Sequence, residues 1–363
     1  MNAESPPLLP TSELEMVKNT ETAQELVRDT DFEEAYKNLH NEGLLEAQVQ
    51  VTKEIYEDAL SDAEFLTEKD WERITILNLY SKELAIHSIE TYRLVRSKIE
   101  NISLGEETML EVIEREGVSL DEFYRACILH DIGKTAIPKS VLNYSFGEGD
   151  WSALFWIACK DSMKTWVQQH LGTDEEVNLE EFSIFKTISD YQKNPVANIP
   201  VQSFLPEDEL DKLETRGIST NLTLRQILEL HENASQKILE DEGLHTEAAI
   251  AGQHHNYEQK EYQFPISSQT LGIMADLSDL LRLADEEQAL LSKRPYKEPF
   301  SKAAAYEILT KDAKSGAINK ELTALWIQDE LKHGNIMAET DEDFVKIRAI
   351  QTFMKDFLPH SGK

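Results

Sequence analysis

An all-α fold is predicted: two observations give the class, and a third says that the chain folds. Apolar residues recur at spacings of three and four along most of the chain. Alternating, strand-like patterns of useful length are hard to find. Finally, 40 % hydrophobic and 29 % charged residues over 363 positions supply enough apolar material for a core without disulfide or metal staples, and too much for a disordered acidic chain.

Taken in order, residues 1 to 10 carry three prolines and no period, and read as a disordered lead. Acidic helical segments follow from 12 to 72, with Leu44, Val49, Val51, Ile55 and Leu60 as apolar positions and no clustered chemistry. Residues 1–73 are therefore expected to form an N-terminal helical region with a regulatory or partner-binding role. A helical catalytic domain is expected over 74–331. Within it, 145–222 reads as a helical insertion, punctuated by Gly147, Gly149, Pro195, Pro200, Pro206 and Gly217 around Trp151, Phe155, Trp156 and Trp166. Strong helical periodicity returns from 223, and 332–363 reads as a polar, helical tail.

Charge narrows the partners. With 36 Lys and Arg against 68 Asp and Glu, the net charge of −32 repels polyanions at long range, so neither duplex nucleic acid nor an acidic membrane is expected as a partner. Cys127 and Cys159 lie beside apolar stretches and fit buried thiols in a reducing compartment. No apolar run approaches 18 residues and the first residues are acidic and polar, so a cytoplasmic protein is expected.

The chemistry lies in the histidines. Of ten, five fall on or at the ends of expected helices, on or near the apolar side: His87, His130, His231, His254 and His255. One such residue is ordinarily a packed core histidine, but five with carboxylates in phase call for another account. Glu83 and His87 are four apart and project from one helix face. In SLDEFYRACILHDIGK, Ser119 and Glu122 have the spacing of a capping box, the apolar stripe runs into His130, and Gly133 is expected to stop the helix. Asp131, next to His130, adds a carboxylate that can bridge two ions. In TLRQILELHENASQKILEDEG, Thr223 and Gln226 suit a helix start, Gly243 a stop, and His231 points inward. TEAAIAGQHH ends in the pair His254 and His255, and Asp285 falls mid-helix on an apolar face, a costly place without a cation or hydrogen bonds. Mixed nitrogen and oxygen ligands without thiolate favour iron, manganese or similar ions over structural zinc. Eight ligands suit two or three divalent ions.

These residues resemble the HD superfamily, and specifically its HD-GYP branch of cyclic-dinucleotide phosphodiesterases. The order that carries the resemblance is His87, HDIGKTAIP, His231 in LxLHxxxxxxIL, the pair His254 and His255, and LADEEQALLSKRPYKEPFS, similar to the family's ADVYDALTSxRPYK. The resemblance implies an HD-domain helical bundle. It makes His87, His130, Asp131, His231, His254, His255 and Asp285 metal ligands, with Glu83 matching the extra glutamate of trinuclear members. It further implies that Lys134 contacts the scissile phosphate, and that Arg294 and Lys297 hold substrate phosphate or base edges. The implied activity is hydrolysis of a cyclic dinucleotide, cyclic di-GMP first among them, by a hydroxide bridging two or three iron or manganese ions, with Asp131 and Lys134 catalytic. Family members are often dimeric, so a homodimer, or a protein partner at the N-terminal region or insertion, is a further expectation.

Two features depart from the family. Where the branch reads HHExxDGxGYP, this chain has HHNYEQKEYQFP, without the glycines and with Gln263 or Phe264 at the Tyr position. Asp131 and His231 are also 100 positions apart, far more than in a typical member. The alternatives are a cyclic-dinucleotide sensor that binds without turnover, an HD phosphohydrolase for another nucleotide, and an HD-type diiron oxygenase.

Overall fold

The protein is described here as a computed structural model. It describes residues 21–27, 30–104, 107–115, 117–139, 141–142, 200–255, 271–292, 299–338 and 340–357. The all-α expectation holds: helices dominate, and the strands among the described residues are the two-residue β1 (Ser103–Leu104) and β2 (Glu107–Thr108), paired antiparallel. The chain divides into two compact units, Met1–Ile86 and His87–Lys363.

The first unit contains α1 (Phe32–Asn41), α2 (Leu45–Tyr56) and α3 (Glu68–Tyr80). Asp31 starts α1 by accepting the Glu34 N–H at 2.9 Å, and Thr67 with Asp70 makes a full capping box on α3. The three helices pack on one another through Phe32, Leu39, Val49, Ile74 and Leu77, each buried side chain contributing about 1.5–3 kcal/mol. The expected domain start at 74 thus falls inside α3, whose apolar face belongs to this packing.

Helix α4 (Lys82–Ile99) contains the division between the units. The second unit continues through β1, β2, α5 (Met109–Arg115), α6 (Leu120–Leu129) and a 3-10 turn over Ile132–Ala136. From the described end of the expected insertion come a short 3-10 turn at Val201–Ser203 and α7 (Glu207–Thr215). Then follow α8 (Leu224–Asp241), α9 (His245–Ala251), α10 (Leu271–Leu291), α11 (Lys302–Ser315), α12 (Lys320–Lys332) and α13 (Asp341–Phe357). The C-terminal helix is no free tail: Ile350 and Phe353 are buried, and α13 packs on α11 and α12.

Local rules explain the helix starts better than the stops. Thr223 and Gln226 form the expected capping box, and Gly243 leaves α8 with φ 80°. Ser119 is the N-cap of α6 but makes no side-chain cap bond, so the expected box is absent. Nor does Gly133 stop α6, which ends at Leu129, four residues earlier. Gly133 sits within the 3-10 turn because a Cβ there would lie well inside van der Waals contact of the His231 carbonyl oxygen and the Ser235 amide nitrogen. Its N–H donates to Ser235 Oγ at 2.8 Å, docking the turn onto α8.

Helix α9 packs on α6, α8 and α10 and is tied to α6 by Arg125, whose guanidinium donates to the buried Glu247 at 2.7 Å. On α10, the buried Glu287 accepts from Tyr306 Oη and Trp326 Nε1, both at 2.6 Å, fixing α10 against α11 and α12. The buried Lys98 of α4 donates to Asp329 at 3.0 Å and to Glu330. These contacts tie α6 to α9 and join α4 and α10 through α12.

Candidate metal centre

His87 comes from α4, His130 from the residue after α6, Asp131 from the head of the 3-10 turn, His231 from α8 and Asp285 from α10. His254 and His255 lie three and four residues beyond the end of α9, in a turn and not on the helix itself. All seven meet in the second unit. Six are buried, and the His255 side chain is 23 % exposed.

The ligand atoms form two groups, His87 with His130 and Asp131, and His231 with His254 and His255; within each, the atoms lie within 4.8 Å of one another. Two carboxylates join the groups. Asp131 Oδ2 lies 3.3 Å from His130 Nε2 and 3.7 Å from His87 Nε2, while Oδ1 lies 3.3 Å from His231 Nε2 and 4.0 Å from His254 Nε2. Asp285 Oδ1 is 2.7 Å from His87 Nε2, and its Oδ2 is 3.6 Å from His255 Nε2. Each carboxylate thus offers one oxygen to each group.

The rings are aimed by their far nitrogens. His130 Nδ1 donates to the Cys127 carbonyl at 2.8 Å, His254 Nδ1 to that of Ala251 at 2.6 Å, and His231 Nδ1 to that of Leu228, each three residues back. With the proton on Nδ1, the Nε2 lone pair faces the centre, the arrangement that metal-ligating histidines adopt. His231 Nε2 and His254 Nε2 then face each other at 3.4 Å, two lone pairs with no proton between them. His130 Nε2 and Asp131 Oδ1 are buried without a hydrogen-bond partner among the described residues. An unpartnered buried acceptor such as Asp131 Oδ1 is costly, and a cation satisfies it. The residues fit a metal ion.

Electrostatics agree with that fit at four of the five rings. Burial is the main cause that lowers the histidine pKa values, to about 4 at His231 and about 3 at His255, with His87 and His254 also lowered, so these rings are neutral near pH 7. Burial acts the same way on His130, but Asp131 and Asp285 override it and raise the ring to about 10. For Asp131, burial is outweighed by Lys134 and His130, and for Asp285 by His130 and His87; both carboxyls are held well below the usual range. Two ionised carboxylates, paired with the His130 ring and the Lys134 ammonium, stand among otherwise neutral imidazoles.

Lys134 lies on the 3-10 turn with Nζ 2.5 Å from Asp131 Oδ2. Glu83 is an exposed residue of the first unit, and its carboxylate accepts from Ser81 Oγ at 3.5 Å. Arg294, Lys297, residues 256–265 and residues 143–199 lie outside the described residues, as does Cys159. Cys127 is buried, as expected.

Three contributors escaped the sequence reading: Glu232, which accepts the His255 N–H at 2.7 Å and whose carboxyl burial pushes up to about 7; Ser235; and the Arg125–Glu247 pair. Ser235, four residues after His231 and so on its helix face, was within reach of a spacing argument. The other two depend on tertiary partners. Among the described residues no helix is long and apolar enough to cross a membrane. Compared with known proteins, the chain matches no family model, and no curated protein and no solved structure is significantly similar to it.

Proposed function

We propose that this chain is a metal-dependent phosphodiesterase of the HD-GYP type that hydrolyses a cyclic dinucleotide, cyclic di-GMP foremost, with iron or manganese ions in the cluster. The observation that carries the reading is Asp131, which turns one oxygen to the His87 and His130 group and the other to the His231 and His254 group. A carboxylate so shared supports two ions side by side, and Asp285 repeats the arrangement. Thiolates are absent from the group, which favours iron or manganese over structural zinc.

Divalent ions supply Lewis acidity toward a phosphoryl oxygen and a nucleophilic water at neutral pH. The protein's part is to hold its ligands neutral or anionic and rigid, through buried rings bonded to backbone carbonyls. Lys134, at the centre's edge, is the cation that adds charge where a phosphate develops it. Since the whole chain repels anions, local groups must draw the substrate in, with Arg294 and Lys297 the further candidates.

Protein reconstituted anaerobically with Fe(II) or Mn(II) and incubated with cyclic di-GMP or the mixed cyclic GMP-AMP tests this, with products separated by ion exchange. Metal-dependent linear product, absent in Asp131→Ala, is expected. Full activity in that variant would end the metal mechanism. Tight binding of intact ligand without product over hours would favour the sensor instead.

A further inference from the structure

In the three-histidine group only His231 lies on a helix. Helix α9 has only seven residues and ends at Ala251, so His254 and His255 sit on a short turn beyond it. Two contacts seat that turn on α8, and they come from residues one helical turn apart. Glu232 Oε1 accepts the His255 backbone N–H at 2.7 Å. Gly252 lies so close to Gln236 that a Cβ there would stand 2.7 Å from Gln236 Oε1 and 2.8 Å from its Cβ. The helix that contributes His231 thus also registers the backbone carrying His254 and His255.

We propose that Glu232 is a positioning residue for the metal centre: by accepting the His255 N–H, it sets the turn against α8 so that His231, His254 and His255 converge on one ion. The inference rests on the reading of the cluster as a metal centre. Since the acceptor matters and not the charge, Gln can replace Glu here, whereas Ala removes the acceptor and Asp falls one methylene short. His87, His130 and Asp131 are seated by other elements, so only one of the two ions depends on Glu232.

The test is titration of metal-free protein with Mn(II) by calorimetry, with the d–d absorption of Co(II) as a second readout and far-UV circular dichroism as a fold control. Two ions are expected in the parent and in Glu232→Gln. In Glu232→Ala and Glu232→Asp, one ion should keep its affinity and the other should weaken about 10- to 100-fold, as loss of an outer-shell partner does. The Co(II) spectrum should lose the matching share of intensity. Two ions bound with parental affinity by both Ala and Asp variants would overturn the inference and leave the metal centre standing. So would a Gln variant as weak as Ala. A parent that binds no ion would overturn both. Should Glu232→Ala fail to fold, the contrast between Gln and Asp decides.

Discussion

His231 Nε2 faces His254 Nε2 across 3.4 Å, and each ring has its other nitrogen committed to the backbone carbonyl three residues before it. Two imidazole lone pairs so placed repel in the absence of a cation, and both rings are neutral near pH 7 because burial lowers their pKa values. The folded protein should therefore be more stable with metal than without. At an ion concentration about 100 times the dissociation constant, linkage gives about 2.7 kcal/mol. Thermal melts with Mn(II) and with chelator check this: the midpoint should rise with Mn(II) in the parent and should rise less in a His231→Ala, His254→Ala double variant, which keeps the His87, His130 and Asp131 group.

Asp131 serves both histidine groups, so its loss should be felt by both ions. Asp131→Asn keeps the shape and removes the charge, and affinity for both ions should fall by more than about 100-fold, beyond what loss of an outer-shell partner costs. Metal content after gel filtration measures it. A variant that kept one ion at parental affinity would show that Asp131 belongs to a single group.

Gly133 marks a close approach between the 3-10 turn after α6 and α8. A methyl group there meets the His231 carbonyl and the Ser235 amide, so Gly133→Ala must push the turn off the helix or bend it. Overpacking of this kind costs about 1–3 kcal/mol, and here it also displaces Asp131 relative to His231. Urea denaturation should show the loss, and Mn(II) titration of the folded variant should show weakened binding. A variant as stable as the parent would contradict the close packing.

Away from the metal, Glu330 makes a prediction about acid stability. Burial alone would raise its carboxyl, but hydrogen bonds from Lys98 and Lys302 outweigh it and hold the pKa below the ordinary 4.5. A folded-state pKa lowered in this way contributes stability that is whole above about 4.5 and is lost as the pH falls through the folded value. Metal-free protein should thus lose stability as the pH falls below about 4.5, and Glu330→Gln should lose less on that acid side. Equal acid sensitivity in the two would count against the pair.

Local chemistry made part of this structure legible in the sequence. The capping box at Thr223 and Gln226, the inward turn of His231 and the burial of Asp285 follow from spacing alone, because their causes lie within one helix. Gly133 was misread for the opposite reason: a glycine after an apolar helix suggests a left-handed stop, whereas its partner, α8, lies about a hundred residues on. Glu232 gave no signal, since what it accepts is a backbone N–H brought in by folding. The closing helix α13 looked polar because only one of its faces, with Ile350 and Phe353, is buried.

The most direct measurement is the metal content of the full chain after anaerobic reconstitution with Mn(II) or Fe(II) and removal of loose ions, by elemental analysis per mole of protein. Two ions per chain are predicted, falling together in Asp131→Asn. A parent that retains no ion would contradict the account, and one that retains a single ion would contradict the sharing of Asp131 and Asp285 between two groups.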